Sequence, residues 1–140
     1  MADTEPMRLI ALDADDLEVV SAALQDAVTT IGDIRYEAAS RRLTMSVNRY
    51  RWEHPGERVR SGLQLGGVMA VQSRRLRREA RRAVLELLAV TFEPGEAPGG
   101  TVVFTFAGGG DLRAEVECVD AALADLSAPW PTPRTPGHSE

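Results

Sequence analysis

Apolar residues near the start of the chain recur at the spacing of an α-helix. They lie three or four residues apart and share one helical face; the series is Leu17, Val20, Leu24 and Val28. Asp13 precedes the series and can cap the first turn, where acidic side chains also favour the positive end of the helix dipole. The pattern predicts an amphipathic helix that begins at Asp13 and ends near Gln25 or Asp26.

From Asp33 onward the hydrophobic pattern has a period of two, which is typical of strands with one buried face. The alternating segments are 34–36, 43–47, 59–65, 68–72, 102–106 and 112–118. Residues 84–92 are apolar at almost every position and predict a central strand covered on both faces. The large side chains then move from odd-numbered to even-numbered positions, at Tyr50 and Trp52. We interpret this shift as a β-bulge near Asn48 and Arg49, the alternative being a strand covered on both faces.

The last third of the chain contains a hairpin signal and a second helical pattern. Residues 108–110 are three glycines between two alternating segments, so they predict a hairpin turn rather than a phosphate-binding loop. A short amphipathic helix is predicted from the spacing of Val119, Ala122, Leu123 and Leu126. Residues 127–140 hold four prolines and predict a mobile tail.

Together these elements predict one α+β domain over residues 1–126, followed by the Pro-rich tail at 127–140. A chain of 140 residues with 44% hydrophobic content suits a single domain with its own core. The order is an N-terminal helix, six or seven mostly antiparallel strands and a C-terminal helix. It fits a strongly bent sheet or split barrel that the last helix caps, as in pleckstrin-homology-like domains.

Five blocks of sequence extend over most of the predicted domain. They read LIALDADDLEVVSAALQDAV, LTMSVNRYRWE, GVMAVQS, LLAVTFE and FAGGGDLRAEVEC. In these blocks, between Leu9 and Leu126, the chain resembles a small bacterial family catalogued as domain of unknown function 2948. The resemblance implies a family but brings no activity, cofactor or catalytic residue to any position.

Side chains suited to catalysis are sparse. His54 lies in a Pro-Gly turn and His138 in the tail, and neither has the neighbours that a metal site needs. Cys118 shares the parity of Leu112 and is predicted to point into the core, where a thiol is inert. Glu115 and Glu117 fall on the opposite, solvated face. We therefore expect no catalytic residue, metal or cofactor.

Charge is segregated along the chain, although the net charge is only −5. Residues 35–82 carry thirteen arginines and four glutamates, a net of +9, whereas the segments before and after each carry −7. There is no lysine. The candidate binding residues are the loop arginines Arg74, Arg75, Arg77, Arg78, Arg81 and Arg82, extended by Arg49 and Arg51 on the neighbouring strands.

These features predict a non-catalytic module that binds a protein partner or a second copy of itself. The alternative is nucleic-acid binding through loop 74–82, with Tyr50 and Trp52 stacking on bases. A single cysteine and an acidic start without an apolar run favour a cytoplasmic location. No apolar stretch approaches the roughly 20 residues that cross a bilayer, so no membrane segment is expected.

Overall fold

The structure, a computed structural model, describes residues 6–133, 135 and 136. That part of the chain contains one α-helix, one 3₁₀ turn and eleven strands. In chain order they are β1 (Arg8–Ala11), α1 (Ala14–Leu24), β2 (Ala27–Thr30), the 3₁₀ turn (Ile31–Asp33), β3 (Ile34–Glu37), β4 (Arg42–Tyr50), β5 (Glu57–Leu65), β6 (Val68–Arg74), β7 (Val84–Pro94), β8 (Gly100–Phe106), β9 (Asp111–Val116), β10 (Ala121–Asp125) and β11 (Trp130–Pro131).

All strands belong to one antiparallel sheet. Its order is β1, β10, β5, β4, β2, β7, β8, β9 and β6, while β3 also pairs with β4 and β11 also pairs with β5. The sheet curls until β6 meets the turn between β3 and β4. There the Val68 N–H donates to the Arg41 carbonyl at 2.9 Å, and the Tyr36 hydroxyl donates to the Val68 carbonyl at 2.9 Å. The result is a barrel whose wall is incomplete between β3 and β6.

The predicted first helix is confirmed. The Asp13 carboxylate accepts a hydrogen bond from the Asp16 N–H at 2.8 Å, which caps the first turn. Leu17, Val20 and Leu24 are buried, and this face of α1 packs against β7. The helix therefore covers one side of the barrel core.

The predicted α+β class with six or seven strands and a C-terminal helix is wrong. Residues 121–125 form β10, which pairs with β1 on one side and β5 on the other. Ala121 and Leu123 are buried while Ala122 is exposed, so the short segment also satisfies a period of two. Two strands that offer backbone partners favour the extended conformation, and residues 119–133 contain no helix that could cap the barrel as in pleckstrin-homology-like domains.

The predicted bulge near Asn48 and Arg49 is also wrong. The register between β4 and β5 runs without a shift from Leu43 opposite Leu65 to Tyr50 opposite Arg58. Both Arg49 and Tyr50 are buried, at 0% and 1% exposure. The change of phase in the sequence therefore marks the end of β4 where both faces are covered.

The hairpin of β8 and β9 and the central position of β7 are confirmed. Gly108 and Gly109 have φ angles of +92° and +98°, which glycine adopts without the clash of a Cβ atom. The Phe106 N–H donates to the Gly110 carbonyl at 2.9 Å and closes the turn. Strand β7 lies between β2 and β8 and packs against α1, but Val84 is 68% exposed, so the strand is not covered on both faces along its whole length.

The first part of the predicted tail pairs with β5. Trp130 lies opposite Arg58 in the sheet, and the Thr132 N–H donates to the Gly56 carbonyl at 2.9 Å. Residues 134 and 137–140 of the predicted mobile tail lie outside the described residues, as does His138.

Cys118 is exposed, contrary to the prediction that it points into the core. Strand β9 ends at Val116, so the alternation of inner and outer positions does not extend to residue 118. We expect Ellman's reagent to titrate this thiol in native buffer without unfolding the protein. A thiol that reacts only after denaturant is added would contradict this placement.

Candidate functional site

The segment that joins β6 to β7, residues 75–83, is an exposed arginine loop. Its five arginines are exposed, and within the described part of the chain none forms an ion pair or a side-chain hydrogen bond; they are Arg75, Arg77, Arg78, Arg81 and Arg82. Arg74, at the end of β6, differs because its guanidinium binds the Asp111 carboxylate at 2.8 Å. The free positive charge of the predicted cluster is therefore carried by the arginine loop.

The backbone of the arginine loop is attached to the 3₁₀ turn. The Ile31 N–H donates to the Ala83 carbonyl at 3.1 Å, and the Gly32 N–H donates to the Arg81 carbonyl at 2.8 Å. Gly32 is needed for this close approach, since a Cβ atom there would lie 3.0 Å from the Arg81 carbonyl oxygen. The arginines are thus presented from a fixed backbone rather than from a free arm.

A cleft of about 300 Å³ opens beside the arginine loop, in the gap of the barrel wall. Its walls are β3 and β6, its base is apolar, and the arginine loop forms one end. The lining residues are Ile34 and Tyr36 from β3, Val71 and Ser73 from β6, Leu43 and Leu112 at the base, and Ile31, Leu76, Arg78 and Arg81 at the loop end. Apolar surface and positive charge are therefore adjacent.

Both strands that border the cleft have a free edge. Within residues 6–133, β3 pairs only with β4, and β6 pairs only with β9. The Tyr36 hydroxyl bridges the gap at the start of β6 through its hydrogen bond to Val68. Backbone donors and acceptors on the two edges are consequently available to an extended segment.

Arg49 lies in the interior rather than on the predicted binding surface. It follows Leu43, Met45 and Val47 on the inner face of β4, and its side chain is 0% exposed. Its guanidinium binds the Asp125 carboxylate with two bonds of 3.0 Å. Glu53 accepts two further bonds of 3.1 and 2.8 Å. These internal partners leave Arg49 unable to contact a ligand.

Arg51 is buried as well and forms ion pairs with Glu57 and Glu53. The structure therefore separates the predicted candidates into two groups. Arg49 and Arg51 hold the hairpin between β4 and β5, whereas the arginine loop remains exposed to solvent.

The buried ion pair changes the ionisation of its members. Burial disfavours the charged form of Asp125, but hydrogen bonds from Arg49, Ser61 and the Met7 N–H outweigh that cost and lower its pKa. The pKa of Glu53 is lowered chiefly by its hydrogen bonds from Arg49. For Arg49, burial opposes the charge, yet the two carboxylates raise its pKa. All three groups are charged in the folded protein near neutral pH.

Of the two rings predicted to stack on bases, Tyr50 is buried and cannot do so, whereas Trp52 is 38% exposed. Tyr50 is 1% exposed, its hydroxyl accepts a hydrogen bond from the Gly56 N–H at 2.8 Å, and its ring meets Trp52 edge to face at 4.8 Å. The Trp52 indole donates to the Gln25 carbonyl at 3.2 Å. The Tyr50 ring is therefore part of the interior, and Trp52 lies at the surface beside it.

Sequence reasoning missed two parts of this arrangement. The cleft arises from strands distant in sequence, so no local pattern indicates it. The sequence held a weak signal for the pairing of Arg49 with Asp125. Arg49 falls at the next alternate position after the buried residues of β4, and a buried arginine requires a carboxylate partner.

The described residues contain no group of three or more His, Cys, Asp or Glu side chains arranged to hold a metal ion. Their one α-helix is neither long nor apolar enough to cross a membrane.

A comparison with curated proteins finds no match to the chain. A family model described as "Protein of unknown function (DUF2948)" matches residues 7–138. This match extends over nearly the whole chain, including the arginine loop, the cleft and the buried ion pair. The protein therefore belongs to the DUF2948 family.

Proposed function

We propose that the protein is a non-catalytic interaction module that binds an acidic protein partner through the arginine loop. The observation that carries the proposal is the set of five exposed arginines that form no ion pair with any described carboxylate. Six arginines elsewhere in the described chain do pair with carboxylates, for example Arg60 with Asp33 and Arg113 with Glu93, whereas the other unpaired arginines, Arg8, Arg35, Arg42 and Arg58, are not clustered on one loop. Unpaired arginines concentrated on one anchored loop are typical of a surface that receives negative charge from a partner.

The composition of the cleft supports a binding role over a catalytic one. Its lining residues include no carboxylate, histidine or cysteine, which are the usual acids, bases and nucleophiles of enzymes. They offer instead an apolar base beside two arginines, Arg78 and Arg81. Protein interfaces combine apolar anchors with arginine in this way.

Nucleic-acid binding is the second candidate, because unpaired arginines also suit phosphates. The loop sequence RLRREARRA contains no aromatic residue, and Tyr50 is buried, so base stacking has no support on this surface. A protein partner accounts for both the arginines and the apolar cleft.

Neutralising the arginine loop should weaken binding of an acidic peptide. The probe is a fluorescein-labelled heptapeptide of alternating Glu and Val, and the variant is Arg77→Ser with Arg78→Ser. We expect its dissociation constant, measured by fluorescence anisotropy, to rise by about tenfold, the effect of roughly 1.4 kcal/mol of lost attraction.

The matched control is the variant Arg8→Ser with Arg113→Ser, which removes two positive charges on β1 and β9, outside the arginine loop. It should leave the dissociation constant within about twofold of the wild type, a difference of less than 1 kcal/mol. Equal weakening in both variants would show that net charge, rather than the arginine loop, attracts the peptide.

Self-association is the special case in which a second copy supplies the acidic surface. Sedimentation velocity over a range of concentrations would then show a dimer that the Arg77→Ser, Arg78→Ser variant loses. A wild-type protein that stays monomeric at every concentration would exclude this case.

A further inference from the structure

We infer that the cleft receives an extended acidic peptide as an added strand between β3 and β6. This inference rests on the proposed function and specifies how the partner is held. Its basis is the combination of two free strand edges, an inward-facing apolar lining and unpaired arginines on the outer side and at the loop end.

The backbone supplies the first part of the argument. Strands β3 and β6 border the same cleft, and each has a strand partner on one edge only in the described part of the chain. An extended segment placed in the gap would bond to free N–H and C=O groups and continue the sheet. Closing a barrel also removes exposed edges, which are otherwise prone to non-specific pairing.

The side chains of β3 and β6 that line the cleft determine the size and polarity of the peptide side chains that can face inward. Ile34 and Tyr36 point into the cleft from β3, and Val71 and Ser73 do so from β6. An inserted strand therefore presents every second side chain to this lining, which favours small or medium apolar residues. A cleft of about 300 Å³ suits a few such side chains rather than a large cofactor.

The arginines around the cleft determine which residues are favoured at the outward-facing positions of the peptide. Arg35 and Arg42 are exposed on the outer side of β3 and β4, and neither forms an ion pair with a described residue, although Glu37 lies opposite Arg42 in the register of the two strands. Arg78 and Arg81 stand at the loop end of the cleft. The outward side chains of an added strand would lie near these four arginines and Glu37, a surface of net positive charge that favours acidic residues. The expected ligand alternates apolar and acidic residues.

Hydrogen–deuterium exchange of the wild-type protein tests this mode of binding directly. Saturation with the alternating Glu and Val heptapeptide should slow amide exchange in residues 34–37 and 69–74, since an added strand bonds to both edges. A peptide of the same composition with its three Val residues together should bind more weakly by about tenfold, because it cannot place apolar side chains on one face only.

A substitution within the cleft provides the second readout. Ser73→Trp fills the cleft from β6 and should weaken peptide binding by about tenfold or more, whereas Ser73→Ala should bind as the wild type does. The unfolding midpoint of each variant is measured alongside, and the exchange experiment does not depend on either variant being folded.

The outcomes separate this inference from the proposed function. Peptide binding that requires Arg77 and Arg78 but leaves exchange at 34–37 and 69–74 unchanged would overturn strand addition and retain the arginine loop as a binding surface. Absence of binding by any acidic peptide would overturn both. Binding of an oligonucleotide but not of the peptides would also overturn both, in favour of nucleic acid.

Discussion

Replacing Asp125 by alanine is expected to lower the free energy of unfolding by about 3–5 kcal/mol, the usual cost of breaking a buried ion pair. Among the described residues, the substitution leaves the Arg49 guanidinium inside the barrel with the partly exposed Glu53 as its remaining carboxylate partner, beside a long hydrogen bond to the Tyr50 carbonyl. The Asp125 side chain is 3% exposed and also accepts hydrogen bonds from Ser61 at 2.7 Å and from the Met7 N–H at 2.9 Å. One substitution therefore removes contacts to three different parts of the fold.

Urea denaturation of the wild type and the variant measures this effect. Asp111→Ala is the matched control, since Asp111 also pairs with an arginine, Arg74, but the side chain of that arginine is largely exposed to solvent. Exposed ion pairs contribute little, so the control should lose much less stability than Asp125→Ala. Similar losses in the two variants would contradict the role of the buried pair.

A second substitution at Arg49 provides an independent check of the same pair. The double variant Arg49→Met, Asp125→Ala should be more stable than Asp125→Ala alone, because it no longer buries a guanidinium that has lost its buried carboxylate partner. A double variant that is less stable than the single variant would indicate that Arg49 stabilises the barrel through contacts other than its carboxylates.

Stability should fall steeply in acid because the same carboxylates are held ionised by the fold. The pKa values of Asp125 and Glu53 are lowered from 3.8 and 4.5. Groups with a depressed folded pKa stabilise the protein above their unfolded pKa, and this contribution is lost as the pH falls through the folded value. We therefore expect the free energy of unfolding to be nearly constant from neutral pH to about pH 5 and to decline below that.

Urea denaturation at several pH values between neutral and acidic conditions measures this dependence. Asp125→Asn cannot titrate at this position, so its stability should change less between pH 5 and pH 3 than that of the wild type. If the free energy of unfolding changes equally with pH in the two proteins, other carboxylates cause the acid sensitivity.

Local signals in the sequence predicted those elements that depend on local chemistry. The cap at Asp13, the buried face of α1 and the glycine turn at 108–110 all involve residues within a few positions of one another. Short-range hydrogen bonds and positive φ angles leave recognisable residue types at fixed spacings. These elements agree with the structure for that reason.

Elements that depend on distant partners were not predictable in the same way. Residues 121–125 satisfy both helical and strand spacing, and only the presence of β1 and β5 on either side selects a strand. The burial of Arg49 likewise depends on Asp125, which is far along the chain. Counting charges along the sequence located the arginine-rich region but could not distinguish paired arginines from unpaired ones.

The measurement that tests the central claim most directly compares two ligands of the wild-type protein in one salt series. Fluorescence anisotropy would follow the labelled alternating Glu and Val heptapeptide and a single-stranded oligonucleotide of the same length. We predict that the peptide binds more tightly at every salt concentration and retains part of its affinity at high salt, because apolar contacts in the cleft are not screened. Tighter binding of the oligonucleotide, or no binding of the peptide at low salt, would contradict the account.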